Sequence, residues 1–363
     1  MQSKKSVKRN PLLRMVKRDD LSKRKSFLIR LLAILGALVA GGLLILCLGK
    51  NPILAYKDMV KGAFGSKVLI QQTIKQMVPL LITAIGISFA FKMKFWNIGA
   101  EGQVLVGAIG AGYWAFFYAA ILPKVPLVLL MMITGMVMAG LYGLLPALCK
   151  AKWGTNETLF TLMLNYIALY FVKFLANGPW KAKGSSFPKM PMIHQGVRLT
   201  KIFGVHWGWI LALVLVVVSY IYFTKTKQGY EIAVVGESNN TAKYAGIDVG
   251  KVFKRTMFLS GALAGLAGVL QVAGSDYTIT ETTAGGVGFT AITVAWLAKM
   301  NPYGMLGVAA FIAVLERGCN QIETTMAIPS SVSKLLVGII LFFMLGSEFF
   351  INYRLVHASK KEV

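Results

Sequence analysis

Ten stretches of this chain are apolar over roughly the length a membrane-crossing helix needs, and polar or basic residues separate them. They run 27–48, 72–91, 103–122, 126–148, 157–176, 207–223, 256–273, 287–299, 304–319 and 333–351. A helix rises about 1.5 Å per residue, so about twenty residues cross a hydrocarbon layer of ~30 Å. The eighth stretch, 287–299, is short, Gly-rich and polar at its start. It reads as a re-entrant or half-spanning segment, which lipid tolerates only where protein covers it. The pattern predicts an all-α polytopic membrane protein with about ten transmembrane helices. A basic cytoplasmic tail, 1–26, precedes a transmembrane domain, 27–351, and a short cytoplasmic tail, 352–363, follows. The tail holds ten Lys/Arg, more than the charged start of a secretory signal, and no small-x-small pattern closes the first run. The expectation is a retained first span.

Composition agrees. Hydrophobic residues make up 56% of the 363 and charged residues 15%, against about 25% charged in soluble domains. The mean hydropathy is +0.63. Lipid must be the solvent for much of this surface. The net charge of +25 would suggest nucleic acid in a soluble protein. Here the cations gather in the tail and loops, as a topology signal does, and anionic lipid headgroups are the expected counter-charge. With the N-terminus inside, the cytoplasmic pieces hold 23 Lys/Arg and the outer pieces 10. Without the first tail the bias shrinks to 13 against 10. This predicts both termini in the cytoplasm. Cys47, Cys149 and Cys319 sit in or beside apolar runs and form no paired motif, so they read as small buried residues. His194, His206 and His357 have no ligand spacing, and no metal site is expected.

Two runs of small residues stand out within the spans: Gly261, Gly265 and Gly268, and Gly135, Ala139 and Gly143. Such spacing lets helix backbones approach closely. The longest cytoplasmic loop, 224–255, is not low-complexity. Ser238 or Asn239 is placed to cap a helix of about two turns, with Gly246 at its end. A helix that short needs a partner surface. Thr241, Ala242, Tyr244, Ala245 and Ile247 offer it a small, partly apolar face. A polar break interrupts the chain after Lys92 and Lys94, at Asn97, Gly99, Glu101, Gly102 and Gln103. It reads equally as the lining of a transport path or as a tight turn. Asn156 and Glu157 start a span, where a carboxylate suits a helix N-terminus. Asn165, two turns in, reads first as a helix-to-helix hydrogen-bonding group. Asp276 and Glu281 are expected outside the membrane, facing solvent or a basic partner.

The chain has no phosphate-binding GxxxxGK[ST] loop, no HExxH zinc motif, no GxSxG elbow and no kinase set. Acidic residues are essentially missing from the centres of the spans as read here, where an ion-coupled carrier shows some. No catalytic residues and no energy source of its own are therefore predicted.

Five segments carry a family resemblance: FWNIGAEGQVLVGA (95–108), GTNETLFTLMLNYIA (154–168), VVGESNNTAKYAGIDVGKVF (234–253), LSGALAGLAGV (259–269) and GFTAITVAWLAKMNPYG (288–304). In type and order they resemble the membrane permease subunit of ATP-binding-cassette (ABC) importers. The branch is that of branched-chain amino-acid, ribose and nucleoside permeases, and the first two segments look most like the nucleoside subgroup. The resemblance implies a type II ABC-importer permease in a bacterial plasma membrane. It implies a second, different permease subunit, separate ATPase subunits holding ATP and Mg, and a substrate-binding lipoprotein outside. Residues 237–247 would then be the coupling helix, with Glu237, Asn240, Ala242, Tyr244, Ala245, Gly246 and Ile247 meeting the ATPase. Asn240 departs from the Pro found near the helix start in many relatives. A path for a polar, planar nucleoside needs amides and aromatics. Asn97, Gln103, Asn165, Phe289 and Trp296 are the candidates. Ribose-like sugars are the alternative cargo, and a stand-alone ion-coupled carrier is the alternative class.

Overall fold

The computed structural model describes residues 13–18 and 22–357. The expectations for 1–12, 19–21 and 358–363 lie outside the described residues. In chain order the elements are β1 (Leu13–Lys17), α1 (Lys23–Cys47), α2 (Pro52–Phe64), α3 (Lys67–Lys92), α4 (Ala100–Phe117), α5 (Lys124–Trp153) and α6 (Glu157–Asn177). Then come β2 (Lys201–Ile202), β3 (Val205–His206), α7 (Gly208–Lys225), α8 (Lys227–Glu237), α9 (Asn239–Tyr244) and α10 (Val249–Gln271), which runs into a π-helical turn over Val272–Asp276. The last are α11 (Val287–Leu297), α12 (Pro302–Met326), α13 (Ser330–Asn352) and β4 (Tyr353–His357). Among the described residues, α1, α3, α5, α6, α7, α10, α12 and α13 are long and apolar enough to cross a bilayer. The other two expected spans are α4, with Glu101 and Gln103 in its first turn, and α11. At 11 residues, α11 measures about 16 Å and reaches half-way through a hydrocarbon layer, as its polar, Gly-rich start predicts.

Boundaries moved where capping chemistry outweighs hydropathy. The stretch 49–71, expected as a loop, contains α2. It opens with Pro52 at its first position, where a missing N–H costs nothing, and Asn51 Oδ1 accepts from the N–H groups of Ile53 and Leu54. The loop 224–255 is mostly helical. Thr226 Oγ1 caps α8 by accepting from Gly229 N, and Asp248 Oδ1 starts α10 seven residues early by accepting from Lys251 N.

The chain divides into two units, Met59–Gly318 and the two chain ends that flank it. In the end unit, α1 packs on α13. Arg30 donates through Nε and Nη2 to Glu348 Oε1, and Tyr56 donates to Leu38 O. The strands β1 and β4 pair antiparallel, with Leu13 opposite His357 and Lys17 opposite Tyr353.

The central unit is organised around α10, which packs on α3, α4 and α5. The two small-residue runs read from the sequence face each other. A Cβ added at Gly265 would overlap Gly135 O and Ala139 Cβ, and one at Gly261 would overlap Ala139 O. On the neighbouring side, a Cβ at Gly107 would strike the Gly265 backbone and one at Gly268 would strike Val104 O. Three helices thus touch backbone to backbone, which only small residues permit. We predict that Gly265→Leu destabilises the purified protein by about 1–3 kcal/mol or more through overpacking. Gly307→Ala, with open space at its Cβ, should be neutral. Thermal melting in detergent compares the two.

Candidate functional site

The polar break after α3 is a non-helical run of backbone held inside the helix bundle. Lys94 takes a left-handed φ of +54°, and the chain then turns tightly until Gly99, with Asn97 N donating to Phe95 O and Ile98 N to Trp96 O. Phe95 and Asn97 are completely buried. Backbone groups at that depth need partners from the protein. Local backbone turns provide some of them, as in Phe95 N to Ala90 O, and three side chains provide others. Asn97 Oδ1 accepts from Gly99 N at 3.0 Å. Thr161 Oγ1 on α6 accepts from Ile98 N at 3.1 Å. Asn165, one turn further along α6, donates to Ile98 O at 2.9 Å and accepts from Gly102 N at 2.8 Å. Asn97 Nδ2 in turn donates to Gln103 Oε1 and to Ser260 Oγ of α10. Below the break, Lys150 of α5 pairs with Glu157 and lies 4.9 Å from the Phe95 ring centroid.

Glu101 joins this knot to the half-span. Its Oε1 accepts from Gly286 N and its Oε2 from Gly288 N, both at 2.7 Å. The carboxylate, in the first turn of α4, therefore also caps α11. Two helix N-termini, each with a partial positive charge, share one anion. Gly288 is required here, because a Cβ would overlap the Glu101 backbone. At the other end of α11, Trp296 stacks on Trp96, with centroids 5.6 Å apart and planes 7° from parallel, and Phe91 packs edge-on to both. Phe289, Trp96 and Trp296 remain 46%, 40% and 45% exposed.

These positions sort the path candidates. The structure brings Asn97, Gln103 and Asn165 together, where they serve the protein's own backbone. All three are buried, and their amides bind the protein's own backbone and one another. Phe289 and Trp296 stand on an open face. Trp96, Thr161 and the capping role of Glu101 were not foreseen. The signal for Glu101 was present as an acid beside glycines, but its partners lie 185 and 187 residues away.

The second locus is α9. Ser238 is its cap, accepting from Thr241 N, and Gly246 ends it with φ +75°. Ala242 is completely buried and anchors the helix, so it leaves the outward face on which the sequence reading had placed it. Glu237, Asn240, Ala245 and Gly246 are exposed, Ile247 is half-buried, and Tyr244 projects with 92% of its surface free. The preceding α8 braces this knob. A Cβ at Gly236 would collide with Lys92 O, so α8 rests on the last residue of α3, where the break begins. Arg255 of α10 pairs with Glu231 of α8 at 3.1 Å, and Lys92 Nζ sits 3.8 Å over the Phe223 ring of α7. On the far side of the break, Glu281 pairs with Lys173 at 3.0 Å and Asp276 accepts from Gln271 at 2.9 Å.

Residues 69–345 match the family described as branched-chain amino acid transport system / permease component. The chain belongs to that family. It is a multi-pass membrane permease of the ABC transporter class. Among relatives, the nucleoside ABC transporter permease protein NupB of Lactococcus lactis subsp. cremoris is 32% identical, over 89% of this chain and 92% of its own. The guanosine ABC transporter permease protein NupP of Bacillus subtilis is 31% identical, over 92% and 97%. The glucose ABC transporter permease protein TsgB13 of Haloferax volcanii is 31% identical, over 89% and 88%.

We predict that Asn165→Ala, which strands the Gly102 N–H and the Ile98 carbonyl, destabilises the permease by about 1–3 kcal/mol. Exposed Asn177→Ala should stay within about 0.5 kcal/mol. Melting curves of the two decide. An Asn165→Ala protein that melts with the wild type yet loses uptake would return this residue to the substrate path.

Proposed function

We propose that this chain is one of two different permease subunits of an importer for nucleosides, driven by ATP hydrolysis in separate ATPase subunits that hold ATP and Mg. The observation that carries the reading is α9. Six residues are too few for a stable free helix, yet this one is capped at both ends and pinned by Ala242. It presents Tyr244 outward, as a docking knob requires. Force applied there reaches α8, and through the Gly236–Lys92 contact it reaches the break and α11. A rocking of the spans that opens the path to alternate sides follows from that linkage.

The nucleoside assignment draws on the relatives NupB and NupP, whose names state nucleoside and guanosine. The open indole pair and Phe289 suit a planar base. The name of TsgB13 states glucose, which favours a sugar as the second reading. The three cargoes share a hydroxylated sugar. The orientation that fits a cytoplasmic ATPase puts α9 and both termini inside a bacterial plasma membrane, in line with the Lys/Arg bias. A substrate-binding lipoprotein then delivers cargo at the opposite face, near residues 178–206.

The coupling claim predicts that Tyr244→Ala lowers uptake by the assembled complex by about ten-fold or more, a loss of over 1.4 kcal/mol in coupling free energy, with ATPase subunits still bound or shed. Uptake and ATP hydrolysis both at wild-type levels would sink it. Competition of labelled nucleoside uptake by unlabelled nucleoside, ribose, glucose and leucine decides the cargo.

A further inference from the structure

An acidic side chain lies well inside a spanning helix, beside Arg317, and has no role in the knot or the α9 knob. Glu316 is the fifteenth residue of α12, a helix of 25. Hydropathy had placed the end of that span near 319, and the longer helix brings the carboxylate to membrane depth, where the sequence reading expected no acid. Charge in such a position is costly, and it persists for a function.

Its surroundings are polar along one line. Gln76 of α3 donates through Nε2 to Glu316 Oε2 at 2.5 Å. Gln72 lies one helical turn before Gln76 on the same face of α3, and Thr83 lies two turns beyond it. Gln72 Oε1 and Thr83 Oγ1 are buried with no hydrogen-bond partner among the described residues. Pro79, between them, removes one backbone donor from the helix. A carboxylate offers about four acceptor sites, and Gln76 is the one donor it receives among the described residues. The neighbouring Arg317 Nε is also buried with no hydrogen-bond partner among the described residues, so acceptors at Glu316, Gln72 and Thr83 lie near a free donor at a depth where water is scarce. This set is complementary to an uncharged ligand that both donates and accepts. A pair of neighbouring hydroxyls meets that description, since each O–H can donate to one carboxylate oxygen while the Gln amides take the hydroxyl lone pairs.

We propose that Glu316, held by Gln76 and flanked by Gln72, is a binding subsite for the vicinal hydroxyls of the sugar portion of the cargo. The proposal rests on the nucleoside reading above and deepens it.

The test uses the complete transporter in proteoliposomes, at saturating cargo. Uptake of a ribonucleoside is compared with uptake of its 2′,3′-dideoxy analogue, for the wild type and for Glu316→Gln. The variant keeps shape and pairing but loses the charge-assisted acceptor. The expected result is a fall of about ten-fold for the ribonucleoside with the dideoxy analogue unchanged, so that the preference for hydroxyls disappears. Equal losses for both compounds, or no loss for either, overturns the subsite. If Glu316→Gln fails to assemble, Gln76→Met carries the same comparison with the same two readings. A wild-type complex that takes up ribose or glucose but no nucleoside defeats the nucleoside reading, and in that case this assignment falls with it. Normal nucleoside uptake with unchanged hydroxyl preference in the variant defeats this assignment alone.

Discussion

Unpaired backbone has no place in hydrocarbon, and the architecture around the α3–α4 break answers that constraint. The chain leaves the helix at Lys92 and re-enters it at Ala100. In between, the amide of Ile98 and the carbonyl beside it are bonded by Thr161 and Asn165. Without those two α6 side chains the non-helical run would have to become helix or leave the bundle. The buried amides follow from this requirement. Asn97 turns the chain, Gln103 and Ser260 hold Asn97, and Glu101 extends the same network to the half-span.

A helix that stops half-way leaves an N-terminus with free donors at depth. Glu101 meets two of them at Gly286 and Gly288. The break and the half-span are therefore one structural unit, although nearly two hundred residues separate them. The α9 knob joins that unit through the seat of Gly236 on Lys92.

The sequence carried the spans, the half-length of 287–299, the small-residue runs, and the short capped helix with Gly246 at its end. Each of these follows from periodicity or from a cap that acts within four residues. It did not reveal that α8 is helical. The Thr226 cap was there, but Gly229 and Gly236 weaken the local helix preference, and the brace forms because both glycines fit against neighbouring backbone. It did not reveal the partners of Asn97, Gln103 and Asn165 either, although Asn165 read first as a helix-to-helix group. A buried amide and a ligand-facing amide look alike in a linear string, and only the partners at positions 98, 102 and 260 tell them apart. Glu316 escaped notice because it stood near the end of the 304–319 stretch, whereas the helix continues to Met326.

The glycine seam among α4, α5 and α10 has a mechanical consequence. Where side chains interdigitate, helices can slide by exchanging one set of rotamers for another. Where peptide planes are in direct contact, no such slack exists, and sliding would require the chains first to separate. The three helices should travel as a single stiff rotor. Any hinge of this permease is then pushed outward, away from this seam.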